Sequence, residues 1–197
     1  MFIIFDTEYT AWKETQKKGY NMVTQFPEIV QIGALKVDKD FKIVDKLNMY
    51  IKPKINPELS EYFINLTKIS QKRVDSNGIS LVKALNLFYN FSKNNGKLLD
   101  LYSYGNDYDI LKKNLDIHHV SSNSKFRKWK TKFYDIQDVF KNYGINTKKY
   151  TSGTVYKALN IKPDSKISVH NAEWDTYSIF LTLKKIFSDM STDITKN

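Results

Sequence analysis

Phe2-Ile3-Ile4-Phe5-Asp6-Thr7-Glu8-Tyr9-Thr10 is the stretch from which the rest of the chain can be read. Phe2 to Phe5 is a short apolar, β-prone run, the kind that forms a strand buried on both faces. Two carboxylates follow at i and i+2. If the strand continues through them, its period of two aims Asp6 and Glu8 to one face, with Cα atoms about 6.5 Å apart at a rise of about 3.3 Å per residue. Two like charges held at about 4 Å near a buried strand end repel by about 4 kcal/mol at an effective dielectric of 20. A proton, a basic side chain or a divalent cation must relieve that repulsion. Mg²⁺ and Mn²⁺ prefer oxygen ligands, which makes the pair a candidate metal site. An isolated Asp-x-Glu is more often a strand end that caps a turn, so its weight depends on what lies downstream.

Working outward, Glu28 to Val37 reads as a second strand, Asp38-Lys39-Asp40 as a turn, and Lys42 to Ile51 as the antiparallel return. Between the first two strands, Ala11 to Phe26 is polar and basic and reads as a long mobile loop. Helical segments are expected over Pro57–Asn65, Thr67–Val74 and Ser80–Lys93, the last stopped by Asn94-Asn95-Gly96. Leu98–Tyr104 is expected as a strand, Asp107–Leu115 as a helix and Phe133–Ile136 as a short strand. Helices over Asp135–Tyr143, Ser152–Leu159 and Ala172–Ser188 complete the pattern, with Asp189–Asn197 as a frayed polar tail. A meander followed by alternating helices and strands indicates an α/β fold: a mixed central sheet of about five strands flanked by helices.

The 197 residues fit one domain, expected over 1–188, and a 41% apolar content with 12 Phe and 13 Tyr is ample for its core. The absence of cysteine excludes disulfides and any cysteine-based zinc site or nucleophile. No apolar run reaches membrane-spanning length, and Met1 leads straight into the first strand without a basic leader, so a soluble, intracellular (cytoplasmic) protein is expected. Lys and Arg exceed Asp and Glu by 31 to 21, a net charge of +10 that suits a polyanionic partner.

Two further stretches carry candidate chemistry. Leu101-Tyr-Ser-Tyr-Gly-Asn-Asp-Tyr-Asp-Ile-Leu111 places Asp107 and Asp109 beyond a strand end at the start of a helix, where acids also serve as plain caps. His170-Asn-Ala-Glu-Trp-Asp175 puts His170 just before the last helix and Asp175 in its early turns. Lys125-Phe-Arg-Lys-Trp-Lys-Thr-Lys-Phe133 interleaves basic and aromatic residues and reads either as a phosphate-tracking segment or as a solvated loop whose aromatics face the core.

Together these segments resemble the DEDDh (DnaQ-like) 3′→5′ exonucleases of RNase H-like fold. The first matches Asp6-x-Glu8, the second an Asp followed four residues on by Leu (Asp107 and Leu111), the third His-x₄-Asp (His170 and Asp175). Glu28-Ile-Val-Gln-Ile-Gly-Ala-Leu-Lys-Val-Asp38 and Leu59-Ser-Glu-Tyr-Phe-Ile-Asn-Leu-Thr-Lys-Ile69 look like the branch that includes sporulation-inhibitor and histone-mRNA-type enzymes. Tyr104-Gly105 stands where members often have Trp-Gly with slightly different spacing, which leaves Asp107 preferred over Asp109 as the ligand. The resemblance implies two divalent cations, Mg²⁺ or Mn²⁺, held by Asp6, Glu8, Asp107 and Asp175. It implies His170 as general base and single-stranded DNA or RNA 3′ ends as substrate, contacted by Tyr9, Thr10, Trp12, Phe63, Thr67 and Ile69. A non-catalytic nucleic-acid-binding module on the same fold is the alternative; a proofreading subunit would want a docking tail, which polar Asp189–Asn197 does not offer.

Overall fold

The computed structural model describes residues 1–15, 19–20, 24–118, 124–164 and 168–194. Its centre is β1 (Phe2–Tyr9), the middle strand of a five-stranded sheet. β2 (Ile29–Val37) pairs antiparallel with β1, and β3 (Ile43–Tyr50) antiparallel with β2. A two-residue hairpin, β4 (Lys93–Asn94) and β5 (Lys97–Leu98), stands apart. β6 (Leu101–Ser103) then lies parallel to β1, and β7 (Phe133–Asp135) parallel to β6. The sheet order is therefore β3-β2-β1-β6-β7, the mixed five-stranded sheet expected from the pattern.

Alternation along β1 sorts its side chains between two cores. Ile3 and Phe5 pack with Leu101 against α3 (Leu81–Phe91), α4 (Asp107–Ile117) and α5 (Ser124–Trp129). Ile4 packs on the other face with Ile136, Phe140, Val155, Ile179 and Phe180, contributed mainly by α6 (Gln137–Asn142), a 3₁₀ helix (Ser152–Leu159) and the long α7 (Ala172–Ile194). By the same period Asp6 and Glu8 belong to the α7 face, and Thr7 to the α4 face.

Several element ends differ from expectation, each for a local reason. α1 (Glu61–Thr67) and α2 (Gln71–Asn77) begin later than predicted because Ser60 and Ser70 serve as caps, their side chains accepting the N–H groups of Phe63 and Arg73. Leu98–Tyr104 is not one strand. Asn95 (φ 48°) and Gly96 (φ 77°) form a tight left-handed turn that draws Lys97 and Leu98 into the hairpin. Ser152–Leu159 is 3₁₀ rather than α. The last helix does not end at Ser188: it runs to Ile194, with Lys185 and Asp189 paired at 2.6 Å, so the expected tail is helical for most of its length and only 195–197 lie outside the described residues. Of the Ala11–Phe26 loop, 16–18 and 21–23 lie outside them as well. Among the described residues no helix is long and apolar enough to cross a membrane.

One glycine sets where α7 can start. Gly33 stands directly opposite Asp6 in the β1–β2 register, and a Cβ there would lie 2.4 Å from the Ala172 carbonyl carbon and oxygen. The missing side chain lets the helix N-terminus rest on the sheet beside the first carboxylate. Gly33→Ala is expected to cost about 1–3 kcal/mol, the usual range for overpacking, as read by denaturant melts.

Candidate active site

Asp6, Glu8 and Asp175 each offer one carboxylate oxygen within 4.8 Å of the others, and all three are buried. β1 supplies the first two from one face, as its period requires. Asp175 arrives one turn into α7, which begins on β2 beside them. The pairing of β1 with β2 shifts register between Glu8 and Tyr9, an irregularity of the kind that re-aims side chains beside sites. Asp107, first residue of α4, closes the group from the opposite side, its Oδ1 accepting the Thr7 N–H at 2.9 Å and the Thr7 hydroxyl at 2.6 Å. Asp109 is exposed and takes no part in the cleft. His170 (φ 62°) lies half-buried in the loop before α7 and lines the same cleft of about 540 Å³ as the four acids.

Burial and mutual repulsion govern the charges. Desolvation pushes Asp6 well above the ordinary carboxylate range, and the neighbouring charges of Asp107, Asp175 and Glu8 push it further. Glu8 is raised by the same causes, with Asp175 and Asp107 as its neighbours. Asp107 and Asp175 rise to about 7, burial outweighing the hydrogen bonds from Thr7 and from Ser152. Asp175 Oδ1 is buried and has no hydrogen-bond partner. An oxygen-only donor set, like-charged, desolvated and holding an unpaired oxygen, fits a hard divalent cation. Burial has the reverse effect on His170, lowering its pKa and favouring the neutral imidazole.

These shifts make a stability prediction. The carboxyl groups hold protons more tightly folded than unfolded, so raising pH from about 4 through about 7 removes stability. Metal-free protein in EDTA should melt on the order of 5–10 °C lower at pH 8 than at pH 5. Mn²⁺ should recover the loss, most strongly at pH 8; a melting temperature flat across this range in EDTA would refute the account.

A network that sequence patterning did not reveal fixes the entry of α7. Gln31, opposite Glu8 in the register, accepts the Ala172 N–H and donates to Asn48, which in turn donates to Glu173. Trp174 Nε1 donates to Gly153 O, and Ser152 Oγ donates to Asp175 Oδ2, tying the 3₁₀ helix to the carboxylate.

The family model described as Exonuclease matches residues 3–181. The chain belongs to the exonuclease family. A probable 3′-5′ exonuclease, KapD of Bacillus subtilis (strain 168), is 26% identical over 195 residues, spanning 97% of this chain and 84% of KapD. The solved nuclease domain of 3′hExo, a DEDDh family member bound to rAMP, superimposes with a TM-score of 0.77 at 20% identity, covering 95% of this chain and 92% of that one. A solved Escherichia coli exonuclease I in complex with a dA16 oligonucleotide gives 0.67 at 15% identity, covering 97% of this chain and 43% of that one. This exonuclease thus shares the RNase H-like fold of these solved nucleases.

The walls of this exonuclease's cleft only partly match the residues expected to meet substrate. Tyr9, Phe63 and Thr67 line it. Trp12 is half-buried outside the lining, and Ile69 is fully buried with Val30, Leu59 and Val74. Thr10 is occupied elsewhere: its hydroxyl donates to Phe26 O and accepts the Glu28 N–H, clamping the base of the Ala11–Phe26 loop. Tyr20, Tyr62, Tyr104, Gln137 and Tyr150 line the cleft without having been singled out, because isolated polar and aromatic residues in loops and short helices carry no periodic signal. In the basic stretch Lys125–Phe133, Phe126 and Trp129 are core residues, while Lys130 pairs with Asp116 and Lys132 with Asp100 at the β6 entry, the end of that strand away from Asp107. The side chains of Lys125 and Arg127 lie outside what the structure describes.

Proposed function

We propose that this enzyme removes nucleotides one at a time from the 3′ ends of single-stranded DNA or RNA. In this reading hydrolysis of the phosphodiester is supported by two divalent cations, with His170 as general base. One observation carries it: Asp6, Glu8, Asp107 and Asp175 converge with His170 on one cleft, although they come from β1, α4 and the entry of α7. The relatives support the substrate class, since a solved 3′-exonuclease is described with 3′-end recognition of a histone mRNA stem-loop, 3′hExo as bound to rAMP and exonuclease I in complex with a dA16 oligonucleotide. The net charge of +10 supports a polyanion.

Asp6, Glu8 and Asp175 would hold one Mg²⁺ or Mn²⁺, and Asp6 with Asp107 the other. When bound, such ions neutralise charge at the scissile phosphate and favour ionisation of a nearby water. The chain's own residues do the rest. Tyr9, half-buried at the cleft wall, offers a face on which a terminal base can stack, worth roughly 1–3 kcal/mol per base, with Phe63 and Thr67 buried beneath the lining. Ile69, packed with Phe63 in one apolar cluster, would support that wall from behind. His170, neutral because it is desolvated, accepts a proton from the attacking water at the imidazole nitrogen facing the cleft. The water oxygen bonds to phosphorus as the P–O3′ bond breaks, releasing a nucleoside 5′-monophosphate, and the new 3′-hydroxyl takes its proton from solvent.

Labelled single-stranded DNA and RNA should be shortened from the 3′ end with Mg²⁺ or Mn²⁺, and spared by EDTA or a 3′ block. Intact, unblocked oligonucleotides after incubation with saturating Mn²⁺ would defeat the proposal.

A further inference from the structure

We propose that Ser152 is a positioning residue for the divalent cation, fixing the Asp175 carboxylate before the ion arrives. The inference rests on the reading of the acidic cluster as a cation site, and concerns a residue outside that cluster.

The geometry comes from the segment between Thr147 and Gly153. Ser152 opens the 3₁₀ helix, half-buried, and lines the cleft. Its Oγ donates to Asp175 Oδ2 at 2.8 Å across 23 positions of sequence, and it lies near enough to Asp6 to favour that group's anion too. The other Asp175 oxygen occupies space that only glycine leaves free. A Cβ on Gly153 would fall 2.3 Å from Asp175 Oδ1. One carboxylate oxygen is thus bonded by Ser152 and the other bounded by Gly153, which fixes the rotation of the group.

The segment is itself anchored on two sides. Tyr104 Oη lies 2.9 Å from Thr147 O and 3.0 Å from Tyr150 O, sharing its proton between them. Gly153 O accepts Trp174 Nε1 at 2.8 Å. Tyr104 lies three residues before Asp107, and Trp174 immediately precedes Asp175. Residues 147–153 therefore bridge the two elements that bring these carboxylates together. Holding a ligand in its binding orientation reduces the ordering that cation binding must impose, and loss of such supporting hydrogen bonds typically weakens metal affinity about 10- to 100-fold.

The test is Mn²⁺ binding to the full chain without substrate, read from the electron paramagnetic resonance signal of free Mn²⁺. Ser152→Ala should raise the dissociation constant about 10- to 100-fold, while Ser152→Thr, which keeps the hydroxyl, should stay within about threefold of wild type. In digestion assays Ser152→Ala should lose kcat at limiting Mn²⁺, regain it at saturating Mn²⁺ and keep its KM for oligonucleotide. Wild-type Mn²⁺ affinity in Ser152→Ala would overturn the assignment. So would a metal-free Ser152→Ala that melts far below wild type, since the residue would then serve folding. Failure of the wild-type chain to bind Mn²⁺ at all is a distinct result, which removes the cation site and Ser152's role with it.

Discussion

Asp6→Asn should reduce exonucleolytic turnover on the order of 10³-fold or more without unfolding the protein. Asp6 is the central carboxylate of the cluster, raised by the charges of Asp107, Asp175 and Glu8 together. In the proposed mechanism, loss of its charge would withdraw a ligand from the cation shared with Glu8 and Asp175 and from the one shared with Asp107. Charge stabilisation by bound cations is worth several kcal/mol in a transition state, and about 1.4 kcal/mol corresponds to each factor of ten. Stability should move the other way. The carboxyl is buried and resists ionisation, so a neutral amide of the same shape relieves repulsion, and the metal-free variant should melt at or above wild type at pH 8. The combination separates loss of chemistry from loss of fold. A variant that retained a tenth of wild-type turnover at saturating Mn²⁺ would show that Asp6 is not a metal ligand.

The readable and unreadable parts of this site divide along a physical line. β1 was legible because a short apolar run buried on both faces, Ile3 and Phe5 on one and Ile4 on the other, continues into carboxylates at i and i+2 that must share a face. Asp107 and Asp175 were legible as acids at helix entries, but only the fold shows that Asp107 turns inward to Thr7 while Asp109 turns outward. α1 and α2 start later than the ranges expected from Pro57 and Thr67 because Ser60 and Ser70 take the capping positions, which the pattern of apolar residues does not mark. What could not be read was contact between distant residues. Gln31 meets Ala172 across 141 positions, and Gly33 meets the same backbone across a similar span. Gln31 does not differ locally from other strand residues, and an interior strand glycine such as Gly33 signals that a backbone approaches without saying which. The polar residues that shape the cleft, Ser152 among them, are invisible for the same reason: their role exists only after the chain has closed.

Replacement of His170 by Ala should reduce turnover about 10²- to 10⁴-fold, the range of general-base catalysis, while leaving oligonucleotide binding in place. The backbone complicates the choice of variant. His170 has φ 62°, a left-handed conformation that Asn and His accept more readily than Ala. Ala therefore changes two things at once, the base and the strain of the loop that feeds α7. His170→Asn separates them, since it keeps the turn and removes the group that titrates near neutrality. Both variants should show the same large fall in kcat at saturating Mn²⁺, with KM little changed. The acid limb of the pH–rate profile should also respond. Burial lowers the imidazole pKa below its usual 6.5, so the wild-type rate should fall only below that value, and the limb due to His170 should vanish in His170→Asn. If His170→Asn turned over within about threefold of wild type while His170→Ala did not, the residue would matter for the loop's shape rather than for proton transfer. The attacking water would then need another base, and Tyr104 in the cleft wall, its phenol pushed up to about 12 by burial, is a poor one near neutral pH.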